Sequence, residues 1–132
     1  MSLLQPTLAV DGLTTQFQTR AGVVTPVNGV SFSILPGQVM GLVGESGSGK
    51  SLTGYSIMGL IDPPGRITEG SIKLNGQELF GHSQEQMRSI RGNRIAMIFQ
   101  DPMMTLNPVL RIDTQMVEAV LAHQNVGRAQ AL

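Results

Sequence analysis

The chain has 132 residues, nine basic and nine acidic side chains, no net charge and no cysteine, with charged residues at only 14%. That balance offers no basic stripe for nucleic acid and no polybasic run for anionic lipid, and it rules out a disulfide framework or a cysteine-based metal site. An apolar share of 41% suits one modest globular domain. The opening Met1-Ser2-Leu3-Leu4-Gln5-Pro6 lacks the basic and long apolar regions of a secretory signal, and no apolar run approaches the length of a membrane span, so a soluble chain is expected.

In chain order, residues 8–17 read as a first strand and residues 27–34 as a second, with Gly22 and Pro26 marking the turn region between them. This opening is antiparallel in character. Leu35-Pro36-Gly37 turns into residues 38–43, whose apolar run reads as a buried strand. A helix is expected over residues 51–61, with Tyr55, Met58 and Ile61 recurring on one face and Pro63-Pro64-Gly65 stopping it. Residues 70–76 give a further strand ended by the Asn75-Gly76 turn signal. A polar helix is expected over residues 83–91, with Ser83 as cap, Gln86 at the capping-box position and Glu85 three residues before Arg88. Residues 95–99 form a short continuous apolar run, read as a buried core strand that delivers Gln100-Asp101-Pro102 to its end. After a loop containing Pro102 and Pro108, Asp113 or Thr114 caps a helix running to Gln124, with Met116, Val117, Val120 and Leu121 on its apolar face. Met97 is expected in the core; Met103, Met104 and Met116 suit either core or an adaptable docking surface. No internal repeat, low-complexity segment or clear domain boundary is visible.

Between the second turn and the first helix lies Gly44-Glu45-Ser46-Gly47-Ser48-Gly49-Lys50-Ser51, which fits the phosphate-cradling pattern G-x-x-x-x-G-K-[ST]. Its glycines let the backbone turn so that successive N–H groups face inward as an anion-binding nest. Lys50 would reach the outer phosphates, the Ser51 hydroxyl would hold magnesium, and the positive end of the following helix would face the nucleotide. A flexible Gly/Ser linker has a similar composition but is not usually flanked tightly by an apolar strand and an apolar helix. A nucleoside triphosphate is therefore the expected ligand.

An apolar strand ending in Gln100-Asp101-Pro102 some fifty positions after Lys50 resembles the Q-loop of ABC-type ATPases. With Val30-Ser31-Phe32-Ser33, Pro36-Gly37 and Gly70-Ser71-Ile72 in the same order, the resemblance covers nearly the whole chain. The run from Leu42 to Ser51 and the run from Met97 to Pro108 are similar to those of the dipeptide, oligopeptide and nickel importer ATP-binding subunits. That resemblance implies an α/β P-loop NTPase fold: an antiparallel β subdomain, part of a core sheet with the P-loop helix, and the start of a helical subdomain. It implies ATP and Mg2+ as cofactors, with Gly44, Glu45, Ser46, Gly47, Ser48, Gly49, Lys50, Ser51 and Leu52 around the triphosphate and Lys50 as the catalytic cation. Phe17 matches the adenine-stacking aromatic, departing from the commoner tyrosine but keeping the π-face. Gln100 matches the glutamine that, with Ser51, helps bind magnesium and senses the γ-phosphate.

An apolar strand ending in a carboxylate also describes a Walker B aspartate, but Gln100 precedes Asp101 and no glutamate follows it, so Asp101 reads as a loop residue. His82 and His123 do not match the family's switch histidine and read as surface or core residues. The signature Leu-Ser-Gly-Gly-Gln, an apolar run followed by Asp-Glu, and the switch histidine are missing, so residues 1–132 read as the front portion of one ATP-binding domain. Such a portion is expected to bind nucleotide without turning it over, to leave sheet edges and apolar surface uncovered, and to be marginally stable. The resemblance further implies peripheral attachment at the cytoplasmic face of the inner membrane, permease subunits as partners of residues 101–117, and a second ATPase subunit in the complete protein. The alternatives are a truncated, non-catalytic ABC segment without a transport role, and another P-loop class such as a kinase or GTPase, which the Gln100 context and the antiparallel opening disfavour.

Overall fold

The computed structural model describes residues 4–101, 103 and 105–132. Pro102 and Met104, named above in the loop and as a docking methionine, lie outside the described residues. The chain divides into two compact units, residues 1–83 and 84–132, where the sequence shows no clear boundary.

The first unit is built on one four-stranded antiparallel sheet of order β2-β1-β3-β4, formed by β1 (Leu8–Thr19), β2 (Gly22–Ile34), β3 (Gly65–Leu74) and β4 (Gln77–Glu78). The β1–β2 hairpin turns tightly at Arg20 and Ala21, and Thr19 pairs with Gly22, so Gly22 and Pro26 lie within β2 rather than in the turn. A proline is tolerated there because β2 is an edge strand, where a missing ladder donor leaves no central partner unpaired. The β3–β4 hairpin closes at Asn75 and Gly76, whose φ angles of 47° and 81° are those a two-residue hairpin turn demands. Val10, Leu13, Val27, Ile72 and Leu74 are buried, and burial of each such side chain contributes about 1.5–3 kcal/mol.

Helix α1 (Lys50–Ile57) lies against β2, and its buried residues are Thr53, Ser56 and Ile57. It ends earlier than the apolar pattern suggests. Leu60 N–H bonds to the Tyr55 carbonyl at 2.8 Å and Gly59 N–H to that of Ser56 at 3.1 Å, a Schellman closure with Gly59 at φ 66°. Helix termination is thus set at Gly59, before the prolines.

Two expected strands are absent from the described structure. Residues 38–43 and 96–99 carry no strand pairing, and Val39, Val43 and Ile98 are 96%, 93% and 99% exposed. A buried strand exists only where neighbours complete its ladder and cover both faces, and among the described residues nothing pairs with either segment. Ile95 makes a single isolated bridge to Arg91.

The second unit holds α2 (Gln84–Ile90), α3 (Ile112–Leu121) and α4 (Arg128–Ala131). Met87, Ile90 and Val117 are buried. Of the face expected on α3, Val117 is buried and Val120 half-buried, whereas Met116 and Leu121 are 65% and 39% exposed. Met97 is half-buried and Met103 is exposed. Arg111 precedes α3 without a side-chain cap bond; Asp113, in the first turn, accepts from the Thr114 amide at 2.7 Å and pairs with Arg111. The Arg111 guanidinium and then the Thr114 donors hold the Asp113 carboxyl below its ordinary value.

Candidate nucleotide-binding site

The glycine-rich segment forms a closed bend that leads directly into α1. Ser46 and Gly47 make its turn, Ser48 N–H bonds back to the Glu45 carbonyl at 3.1 Å, and the helix begins at Lys50. The Lys50 ammonium lies over this bend: it donates to the carbonyls of Gly44 and Glu45, the latter at 2.7 Å, and to the Ser48 hydroxyl at 3.3 Å. A cation gathered by backbone carbonyls at a helix N-terminus stands beside the amides of Lys50, Ser51 and Leu52, which have no intrahelical acceptor. The Lys50 ammonium is thus satisfied by oxygens of the bend itself, next to a helix N-terminus of the kind that binds anions. Ser51 is exposed at the first turn.

Gly49 is the residue on which this geometry turns. It precedes the helix at φ 92°, a left-handed conformation, and a Cβ there would lie within 3.0 Å of the Pro26 carbonyl oxygen in β2. The bend therefore sits directly on the hairpin. The next turn is anchored by Thr53, whose amide and hydroxyl both donate to the Gly49 carbonyl, at 2.9 and 2.8 Å. Deeper in, the hydroxyls of Thr15 and Ser56 meet at 2.7 Å in full burial, joining β1 to α1. None of these three contacts is announced by the glycine-lysine pattern; the only sequence trace is a run of small polar residues, Thr53 and Ser56, on a helix otherwise expected to bury apolar ones.

On the β3 side Thr15 and Phe17 pair in unbroken register with Ile67 and Gly65, which puts both side chains on one face of β1, while on the β2 side the register shifts between them. Its ring is half-buried and shares space with Ile61 over Gly65, its cross-strand partner. Gln100 is exposed in a bend of the second unit, not at the end of a strand. Asp101 is a loop residue: its carboxylate accepts from Met103 N–H at 3.0 Å. His82 makes a 3.4 Å contact to Gln77, and His123 stands against Gly92.

Outside the bend, one carboxylate is unusually well held. Glu78 accepts from the Ser71 hydroxyl, from Ile72 N–H at 2.8 Å and from Phe80 N–H at 3.0 Å. Burial pushes its carboxyl up, but these donors and the nearby Lys73 charge outweigh that and leave it below the ordinary value. Its role is to lock the β3–β4 corner.

The antiparallel sheet with a glycine bend opening α1 is the front of an ABC cassette fold. Superposition on the dimeric structure of MJ0796, a bacterial ABC transporter cassette, gives a TM-score of 0.79 over 91% of this chain and 49% of that one, at 20% sequence identity. The chain belongs to the ABC transporter family, whose model matches residues 27–131. Within it, the chain is similar to ATP-binding proteins of oligopeptide and dipeptide transport. It is 44% identical to the oligopeptide transport ATP-binding protein OppD of Escherichia coli (strain K12), over 94% of this chain and 36% of that protein. It is 43% identical to the dipeptide transport ATP-binding protein DppD of Bacillus subtilis (strain 168), over 97% and 38%. A putative peptide import ATP-binding protein of Brucella abortus (strain 2308) is 46% identical over 97% and 40%. The chain thus spans well under half the length of these relatives. Among the described residues, no helix is long and apolar enough to cross a membrane.

Proposed function

We propose that this chain is the nucleotide-binding front portion of an ATP-binding subunit that energises import of peptides or related solutes. The observation that carries the reading is the Lys50 ammonium held over the closed glycine bend at the start of α1. In this reading residues 44–52 hold the triphosphate of ATP, Lys50 neutralises its outer phosphates, Phe17 stacks on adenine, and Ser51 is a magnesium ligand; Gln100, in the other unit, is proposed separately as a magnesium-binding glutamine. Magnesium held by Ser51 would supply positive charge that offsets the charge of the phosphates.

Binding and turnover separate in this proposal. The 132 residues contain the phosphate-holding groups but neither the signature sequence nor an Asp-Glu after an apolar run, so hydrolysis requires residues beyond those present in this sequence. The partners proposed are permease subunits, meeting residues 101–117 at the cytoplasmic face of the membrane, and a second ATPase subunit. The similarity to peptide-transport ATP-binding proteins supports the solute class.

Isothermal titration with Mg-ATP, run beside a Lys50→Ala variant, tests the reading. Saturable binding weakened at least tenfold by the substitution is expected; identical binding by both proteins would remove the physical basis of the proposal.

A further inference from the structure

We infer that Gly65 is the positioning residue for the Phe17 ring and so sets the base-dependent share of nucleotide affinity, an inference that rests on Phe17 being the adenine-stacking aromatic. Gly65 opens β3, is tied by its amide to the Asp62 carbonyl at 2.9 Å, and pairs directly with Phe17 across the β1–β3 ladder. Its backbone is not in the left-handed region, so chain conformation alone does not call for glycine. Space does. A Cβ at this position would lie 2.7 Å from Phe17 Cζ, nearer still to Cε1, and 2.7 Å from Ile61 Cγ2.

The edge of the ring and the Ile61 methyl therefore occupy the volume that any other residue's Cβ would fill. An aromatic laid over a cross-strand glycine covers exposed backbone and is fixed by it, here with Ile61 sharing the same spot. Ile61 lies in the segment that leaves α1, so that segment also borders the ring. A stacking platform works only when its plane is already in place, since reorganising it subtracts from the gain. Phe17 is half-buried rather than enclosed, which leaves part of the ring accessible to a base.

The test compares two probes on the full 132-residue chain: Mg-ATP, which has a base to stack, and Mg-tripolyphosphate, which has none. Gly65→Ala displaces the ring; ATP affinity should fall roughly tenfold while tripolyphosphate affinity stays within about twofold. Ile61→Ala keeps the glycine but removes the neighbouring methyl and should lower the same ratio by a smaller factor, a check that remains available should Gly65→Ala fold poorly. Phe17→Leu supplies the reference for complete loss of stacking. A preserved ratio in Gly65→Ala and Ile61→Ala, with the ratio lost in Phe17→Leu, would overturn the role of Gly65 alone. Parallel loss of both ligands in the two variants would make the site merely structural and overturn it as well. A ratio unchanged in Phe17→Leu would defeat the stacking assignment itself.

Discussion

Thr15 and Ser56 share a hydrogen bond of 2.7 Å at zero and 1% exposure, and its direction follows from counting protons. The Ser56 hydroxyl already donates to the Leu52 carbonyl at 2.7 Å, so the Thr15 hydroxyl is the donor and Ser56 the acceptor. The P-loop helix is therefore fastened to the central strand β1 by a directional, fully buried polar bond.

That direction makes the two truncations unequal. Ser56→Ala strands a buried donor and should destabilise by about 1–3 kcal/mol, whereas Thr15→Val keeps volume and leaves Ser56 satisfied by Leu52, with a loss of about 1 kcal/mol or less. Urea unfolding of both single variants and the double variant measures this. Equal losses, or strict additivity in the double variant, would show that the bond does not join the two elements.

Gly49 combines a left-handed φ with a backbone carbonyl where its Cβ would go. Gly49→Ala should destabilise by at least about 1–3 kcal/mol and weaken Mg-ATP severely, because the bend must lift off β2. Gly41→Ala is the matched control, since a Cβ there meets nothing within 4 Å. Thermal melts and titration of the pair should separate sharply; equal behaviour would mean that the bend does not rest on the hairpin.

Glu78 gives the fold an acid limit. Its folded carboxyl lies below the ordinary value of 4.5, so it contributes stability that is fully present above that value and is lost as pH falls through the depressed folded value. Amide exchange at Ile72 and Phe80, followed from pH 6 downward, should accelerate beyond the intrinsic acid trend below about 4.5. In Glu78→Gln that extra pH dependence should vanish.

The exposed run at residues 38–43 is a liability for a water-soluble surface. Val39→Lys and Val43→Lys should reduce binding of a hydrophobic dye and raise the concentration at which the chain aggregates, without lowering the melting temperature. A drop in melting temperature would place these side chains in a packed interior instead.

What could be read ahead of the structure was local. The Asn75-Gly76 turn, the strand signal of residues 8–17, the alternation of residues 27–34, and the glycine bend before Lys50 all specify their conformation within a few residues, and each forms where expected. Residues 38–43 and 95–99 carry the apolar signature of buried strands, but a strand is completed by partners distant in sequence, and periodicity cannot report whether those partners pair. The end of α1 departs from the sequence pattern for a smaller reason: Gly59 closes a Schellman turn ahead of the more conspicuous Pro63 and Pro64. The Gly49–Pro26, Thr15–Ser56 and Gly65–Phe17 contacts are cross-element relations and have no one-dimensional signature.

The central claim is that inward-facing amides and the Lys50 ammonium make a polyphosphate pocket at the start of α1. Amide chemical-shift mapping of the isotope-labelled chain during Mg-ATP titration tests it most directly. The account predicts that the largest saturable shifts fall on Gly47, Ser48, Gly49, Lys50 and Ser51 and that Lys50→Ala abolishes them. Shifts concentrated elsewhere in the chain, or the same pattern in Lys50→Ala, would contradict it.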